Sequence, residues 1–181
     1  MRLFVAIDIP NTLRQAIESD VVDRLRDLEG ARWTRPEGRH LTLKFLGNVE
    51  DDRLNEMGAV IGAASQRHVA FRASFAEVGA FPNTRRPRVL WVGLGEGADE
   101  MSALAADLEL AVQPLGFAAE GRPFRGHLTL ARFPRPRVIE ALPSVAVPRE
   151  SFDVDATVLY QSQLHPKGAR YTALRRFPLS A

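Results

Sequence analysis

The tetrapeptide HLTL occupies residues 40–43 and returns at residues 127–130. The chain has only four histidines, and two of them, His40 and His127, begin these two copies. Polar and leucine side chains alternate in each copy, a pattern typical of a strand with one face in the core. Histidine and threonine then point to one face and both leucines to the other. We therefore expect two strands that present the same pair of polar side chains.

The segments around the two copies repeat as well. A strand-like RLFVAID, a helical pattern and a loop precede the first copy, and RVLWVGL, a second helical pattern and a loop precede the second. The interval from Arg2 to His40 is 38 residues (40 − 2), and that from Arg88 to His127 is 39 (127 − 88). The copies lie 87 residues apart (127 − 40), a period too long for a solenoid repeat. The repeat predicts two related halves of one domain.

The predicted fold is therefore of the α+β class, with two pseudo-symmetric lobes, each containing an antiparallel sheet and helices, and a cleft between them. We expect a single domain over residues 1–181, divided into lobes of about 1–86 and 87–181. The last strand has no counterpart in the first half, and we expect it to pair back with the first lobe. The predicted helices are 10–28, 50–66, 98–115 and a short one over 137–145; the predicted strands are 2–9, 40–47, 69–81, 88–94, 127–133, 150–162 and 169–177, with a short strand around Trp33.

Two such strands facing one cleft would bring together two imidazoles, from His40 and His127, and two hydroxyls, from Thr42 and Thr129. An imidazole has an ordinary pKa of about 6.5, so one histidine can accept a proton while the other donates one. Hydroxyl groups can donate hydrogen bonds to the non-bridging oxygens of a phosphate. The constellation predicts phosphoester chemistry without a metal or other cofactor. Two alternatives are a pair of core histidines duplicated with an ancestral half, and a metal site, which would need a further ligand.

Composition narrows the class of protein further. The chain has no cysteine, which excludes disulfides, thiol nucleophiles and iron–sulfur clusters. Asp8 interrupts the short apolar run at the N-terminus, so we expect neither a signal peptide nor a membrane span, and we expect a cytoplasmic monomer. Of the 24 lysine and arginine residues, all but Lys44 and Lys167 are arginine. Arginine suits phosphate recognition, although a GC-rich genome would produce the same bias.

Several segments in order resemble the two-histidine (H-x-T-x) phosphoesterases, and within them the RNA 2′,3′-cyclic phosphodiesterases, also called 2′-5′ RNA ligases. The resemblance covers nearly the whole chain, through RLFVAID, HLTLKFLG, FPNTRRPRVLWVGL, PFRGHLTLAR and LYQSQLHPKGARY. It implies a bilobal α+β fold and metal-independent hydrolysis of a terminal RNA 2′,3′-cyclic phosphate to a 2′-phosphomonoester. It also implies a weak, reversible 2′-5′ ligation. The rival functions are hydrolysis of a small cyclic phosphate, such as a cyclic nucleotide or an ADP-ribose cyclic phosphate, and non-catalytic RNA binding.

The resemblance also implies roles for individual residues. His40 would protonate the departing 3′ oxygen, His127 would activate water, and Thr42 and Thr129 would bind the phosphate. Arg132, at the end of HLTLAR, matches an arginine near the phosphate or the base. Strict alternation would turn Arg132 away from the cleft, so the strand must end or bulge near Ala131. The sequence departs from the family pattern at Arg125-Gly126, where a proline is expected next to the histidine; we expect an altered loop there.

Other signals fit ordinary structural roles. The glycines of GLGEGA (residues 93–98) are too evenly spaced for a dinucleotide-binding loop and predict a tight turn from strand to helix. His68 and His165 are expected at the surface. The basic clusters TRRPR and LARFPRPR suit either solvated loops or an RNA backbone. Four aromatic side chains are candidates for stacking on a nucleobase or for the core: Trp33, Phe45, Trp91 and Tyr160.

Overall fold

The computed structural model describes residues 1–135, 138, 144–165 and 168–181. Within these ranges the chain forms ten strands and three helices. The strands are β1 (Arg2–Ile7), β2 (Arg32–Trp33), β3 (Leu41–Asn48), β4 (Phe71–Ala73), β5 (Phe75–Phe81), β6 (Val89–Leu94), β7 (His127–Arg132), β8 (Phe152–Val154), β9 (Ala156–Gln163) and β10 (Arg170–Pro178). The helices are α1 (Asn11–Ile17), which runs on through a π-helical turn (Glu18–Val22) and a last turn (Asp23–Leu25), α2 (Leu54–Ser65) and α3 (Ala98–Val112).

Eight of the described strands form one antiparallel sheet in the order β10-β9-β1-β3-β7-β6-β5, with β2 paired to β7. The two halves of this sheet meet where β3 pairs with β7 through Leu41 and Leu128. The strands β4 and β8 form a separate two-stranded antiparallel sheet. The predicted α+β class with antiparallel sheets in two lobes is confirmed, and the junction of the two halves lies between the HLTL strands.

Each half of the large sheet takes strands from both halves of the sequence. The strand β1 lies between β3 and β9, and β6 lies between β7 and β5. In each half of the sheet, one of these three strands comes from the other half of the chain. The strand β9 belongs to the second half of the chain but pairs with β1, and β5 belongs to the first half but pairs with β6. The last strand, β10, pairs with β9. The division at about residue 86 stays a prediction; it follows the repeat along the chain and not the strand pairing.

Two predicted strands were wrong in their extent. The segment predicted over 69–81 divides into β4 and β5, and that over 150–162 divides into β8 and β9. The two pieces of each segment pair in different sheets, so the chain turns at Ser74 and at Asp155. Residue alternation continues through both turns, which is why the pattern reads as one strand. The short helix predicted over 137–145 lies mostly outside the described residues.

The three helices pack against the sheet and complete the core. Helical spacing in the sequence predicts a buried face of Leu13, Ile17, Val21, Leu25 and Leu28. The first helix buries the first four, each at most 2% exposed, whereas Leu28 lies beyond the end of the helix and is partly buried. Helices α2 and α3 pack on each other, α2 against β9 and β10, and α3 against β3. Among the described helices, none combines the length and apolar character needed to cross a membrane.

The turn predicted from GLGEGA leads from β6 into α3. Gly97 has a φ of 77° in the left-handed region that glycine adopts without strain. A Cβ atom at this position would also lie 2.5 Å from the carbonyl oxygen of Arg72. Both the backbone angle and the close approach therefore require glycine, as expected for a tight strand-to-helix turn.

Candidate active site

The HLTL copies lie side by side at the junction of the two sheet halves. Since Leu41 pairs with Leu128 in an antiparallel register, His40 is level with Thr129 and Thr42 is level with His127. The four leucines of the motifs are at most 6% exposed, in the core. The two histidines and two threonines line one cleft with a volume of about 780 Å³. The tertiary structure thus joins residues that stand 87 positions apart (127 − 40) in the sequence.

Both strands bulge at the same place in the motif. On β3, Thr42 pairs with Ala6 and Lys44 with Val5, so Leu43 is an extra residue. On β7, Thr129 pairs with Trp91 and Ala131 with Leu90, which leaves Leu130 as the extra residue. A bulge resets the alternation of side chains. The sixth residue of each motif therefore turns into the cleft: Phe45 on β3 and Arg132 on β7, both of which line it.

Aromatic rings hold the imidazole of His40. The ring stacks on Phe4 with the ring centroids 4.6 Å apart and meets Tyr171 edge-on at 5.0 Å. The imidazole also donates a hydrogen bond to the backbone carbonyl of Gly38. Burial lowers the pKa of His40 to about 4, and the negative charge of Asp8 opposes this shift. His40 is therefore neutral at neutral pH until a further negative charge enters the cleft.

Asp8 is a part of the site that the sequence reading missed. It follows Ile7, which pairs with Leu41, so its carboxylate comes next to His40 at the end of β1. The carboxylate accepts a hydrogen bond from the hydroxyl of Tyr160 at 2.5 Å and one from Arg14 at 3.1 Å. The signal in the sequence is a charged residue directly after a buried strand, which by itself indicates only an interruption of the apolar run.

The imidazole of His127 is oriented by the backbone. Its Nδ1 lies 2.7 Å from the carbonyl oxygen of Arg125, so Nδ1–H donates and the neutral ring keeps Nε2 free to accept a proton. Phe81 meets the ring edge-on at 5.0 Å. Burial lowers the pKa of His127. This environment suits a histidine that accepts a proton through Nε2.

The indole of Trp91 packs beside the imidazole of His127, with the ring centroids 6.3 Å apart. Trp91 is 3% exposed, and its indole covers Gly79 and Gly93, where any Cβ atom would overlap the ring. The guanidinium of Arg125 also lies over the indole, 4.6 Å from the ring centroid. The departure at Arg125-Gly126 thus has a structural basis, because Arg125 holds Trp91 and a Cβ atom on Gly126 would lie 2.6 Å from Leu94.

A buried arginine, Arg39, links the loop before β3 to β7 through hydrogen bonds. Arg39 is 1% exposed and forms an ion pair with Glu18 in the π-helical turn. Its Nε donates to the hydroxyl of Thr34 at 3.3 Å, and the backbone N–H of Thr34 donates to Leu130 in the bulge of β7 at 2.8 Å. This network fixes the loop before His40 against β7. Since Glu18 lies 21 residues away in sequence, the local pattern could not reveal it.

The other predicted candidates lie in varied places. Within the described part of the chain, the hydroxyls of Thr42 and Thr129 have no hydrogen-bond partner, which leaves both free to bind a ligand. His68 bonds to Asp107 at 2.9 Å, and neither His68 nor His165 is among the described residues that line the cleft. Of the four aromatic candidates, Trp33 packs against the core. The ring of Tyr160 contacts His40, and that of Trp91 contacts His127. Phe45 is 54% exposed and lines the cleft.

No group of three histidine, aspartate or glutamate side chains within the described ranges is arranged to hold a metal ion. Two imidazoles in one cleft, one beside each motif threonine, can instead act on opposite sides of a phosphorus atom. Arg132 adds a positive charge near the level of His40. The arrangement is suited to in-line displacement at a phosphate with one proton acceptor and one proton donor.

Comparison with known proteins agrees with this geometry. A family model described as LigT like phosphoesterase matches residues 7–91 and again residues 92–171. The chain therefore belongs to the LigT-like phosphoesterase family, and its resemblance to the two-histidine phosphoesterases is confirmed. The two consecutive matches correspond to the two halves of the sequence repeat.

Curated relatives within this family share one name. The RNA 2′,3′-cyclic phosphodiesterase of Archaeoglobus fulgidus is 35% identical over 182 residues, which covers 98% of this chain and 99% of the relative. That of Methanothermobacter thermautotrophicus is 32% identical and covers 99% of both chains. Solved structures are also similar: Escherichia coli LigT complexed with 3′-AMP has a TM-score of 0.85 at 28% identity, with 99% of this chain and 98% of that chain covered. The Thermus thermophilus protein TT0787 has a TM-score of 0.84 at 31% identity, covering 98% and 97%.

Proposed function

We propose that this protein hydrolyses the 2′,3′-cyclic phosphate at the end of an RNA to a 2′-phosphomonoester. The observation that carries the proposal is the pairing of β3 with β7, which brings His40, Thr42, His127, Thr129 and Arg132 to one cleft. The curated relatives named RNA 2′,3′-cyclic phosphodiesterase support the substrate class. We propose a reaction without a metal. The same displacement with an RNA 5′-hydroxyl in place of water would break the bond between phosphorus and the 3′ oxygen and form a 2′-5′ linkage, as a weak, reversible ligation.

The proposed mechanism uses the two histidines in opposite senses. Nε2 of His127 accepts a proton from water as the water oxygen attacks phosphorus. The bond between phosphorus and the 3′ oxygen breaks, and His40 donates a proton to that oxygen. The product carries a 3′-hydroxyl and a 2′-phosphate. Thr42, Thr129 and Arg132 bind the non-bridging oxygens, whose negative charge grows in the transition state. This division of roles rests on the family resemblance, since the two motifs are symmetric.

We further propose that the protein acts as a monomer in the cytoplasm. All five residues of the proposed site come from one chain, so a second copy is not needed to complete it. The partner in this proposal is an RNA with a 2′,3′-cyclic phosphate end.

Incubation with a short RNA ending in a 2′,3′-cyclic phosphate, in the presence of a chelator, tests this function directly. We expect complete conversion to a 2′-phosphate, identified by phosphorus NMR. A 3′-phosphate product would contradict the regiochemistry, and loss of turnover in the chelator would contradict the metal-free mechanism. An intact cyclic end together with turnover of a small cyclic phosphate would instead support the rival substrate class.

The dependence of kcat/KM on pH should reflect the burial of both histidines. Catalysis needs one protonated and one neutral histidine, and both pKa values are lowered in the free protein, that of His40 to about 4. As pH rises above these values the proton donor is lost, so kcat/KM should peak below pH 6.5. The maximum of kcat should lie at higher pH, because bound phosphate raises the pKa of the donor.

Asp8→Asn provides the matched variant for this experiment. The substitution removes the charge that raises the pKa of His40 and keeps a side-chain acceptor for Tyr160. We expect the substitution to lower kcat/KM and to move the limb of its pH profile that His40 sets to lower pH. A profile that peaks above pH 7 in the wild-type protein, or that Asp8→Asn leaves in place, would argue against these protonation states.

A further inference from the structure

We propose that Arg2 and Arg122 form a second phosphate subsite in the cleft, which binds the phosphodiester preceding the terminal nucleotide of the RNA. The inference rests on the proposed function and specifies its substrate as an oligonucleotide in preference to a mononucleotide.

The cleft extends well beyond the two histidines. Its volume of about 780 Å³ lies in the upper part of the range of ordinary small-ligand sites. Past Phe45 its wall continues to Arg2 at the start of β1, to Ser162 and Leu164 at the end of β9, and to residues 122–125 before β7. The cleft therefore has room for more than the reacting cyclic phosphate and its nucleoside.

Among the described residues, five arginines line this cleft, and they differ in their partners. Arg39 is paired with Glu18, and Arg125 lies 3.3 Å from Glu77. The remaining three have no carboxylate partner within 4.0 Å in the part of the chain that the structure describes: Arg2, Arg122 and Arg132. Unpaired guanidinium groups in a cleft attract anions and suit bidentate binding of phosphate oxygens.

The two acidic residues of this wall lie near a buried lysine, and in the described part of the chain neither forms an ion pair with Arg2 or Arg122. Glu109 lies 2.8 Å from the buried Nζ of Lys44, and Glu120 lies 4.0 Å from the same atom. Lys44 also donates to the carbonyl of Ala118 at 2.9 Å, which holds the segment that carries Arg122. The positive charges of Arg2 and Arg122 thus remain available to a ligand.

Of the three unpaired arginines, Arg132 lies near the two histidines, whereas Arg2 and Arg122 line the more distant part of the cleft. Arg132 lies past Thr129, on the side of His40. Ala6 pairs with Thr42, and Arg2 lies four residues before Ala6 on the same strand. The Cα atoms of Arg2 and Ala6 are therefore about 13 Å apart along an extended strand. Arg122 enters from the other wall, five residues before His127. One phosphate between the histidines and a second at Arg2 and Arg122 would place the intervening nucleoside over Phe45.

The decisive experiment compares a trinucleotide and a mononucleotide, each ending in a 2′,3′-cyclic phosphate, as substrates of the wild-type protein and of Arg2→Ala/Arg122→Ala. We expect the wild-type protein to prefer the trinucleotide in kcat/KM, and the double variant to lower this preference at least about tenfold. Loss of the one phosphate that both arginines neutralise should also reduce the salt dependence on the trinucleotide, with the log–log slope falling by about 0.7. Arg24→Ala/Arg149→Ala, at exposed positions outside the cleft, is the control for charge alone.

The outcomes separate the subsite from the reaction itself. Equal loss on both substrates, an unchanged preference, or the same effect in the control variant would overturn the subsite while leaving the proposed function intact. Absence of turnover of either substrate by the wild-type protein would overturn the proposed function and this inference with it. Thermal unfolding of both double variants verifies that the fold is retained.

Discussion

Replacing either cleft histidine by alanine should lower kcat on an RNA 2′,3′-cyclic phosphate by at least about 10², because each variant loses one acid–base role. His40→Ala and His127→Ala together should cost much less than the product of the single effects, since either loss alone disables the concerted displacement. The measurement is single-turnover hydrolysis, with phosphate position read in the product. Near-ultraviolet circular dichroism should show no change in aromatic packing beyond the lost contacts of His40 with Phe4, Tyr160 and Tyr171 and those of His127 with Phe81 and Trp91.

The matched control is His68→Ala, which removes a histidine bonded to Asp107 away from the cleft and should leave kcat within about twofold. A substrate with sulfur in place of the 3′ oxygen distinguishes the two roles, because a thiolate leaves without a proton. This substrate should narrow the defect of His40→Ala by at least about tenfold and leave that of His127→Ala in place. Hydrolysis that survives both alanine substitutions would contradict the proposed two-histidine mechanism.

Removing the positive charge of Arg132 should have the next largest effect. We expect Arg132→Ala to lower kcat/KM by about 10², the usual loss when a group that stabilises transition-state charge is deleted. The bulge at Leu130 turns this side chain into the cleft, beyond Thr129, and no described carboxylate pairs with it. Arg132→Lys should recover part of the rate, because it restores the charge without the planar fork.

The comparison for this prediction is Arg149→Ala, which removes an exposed arginine outside the cleft. It should leave kcat/KM nearly unchanged at constant ionic strength. Equal small effects in the two variants would show that Arg132 acts only as a surface charge. A rise in KM with constant kcat would assign it to uniform substrate binding instead of transition-state stabilisation.

Local pattern was sufficient for most of the secondary structure. The alternation in HLTL placed the leucines in the core, and the spacing of Leu13, Ile17, Val21 and Leu25 gave the buried face of α1. The local pattern gave the wrong strand extent at Ser74 and Asp155, where the alternation is continuous but the chain moves from one sheet to the other. Pairing partners are chosen by contacts distant in sequence, and the period of a strand contains no information about them.

The sequence by itself determined the repeat, the α+β class and the two pairs of histidine and threonine that we propose as catalytic and phosphate-binding groups, because periodicity and motif recurrence are properties of the chain alone. Only the tertiary structure decided that β5 and β9 are exchanged between the sheet halves and that Arg132 turns into the cleft. It likewise revealed Asp8 beside His40 and the buried pair of Arg39 and Glu18. Each of these depends on register, burial or charge across elements far apart in sequence, which form only when the two halves of the sheet meet.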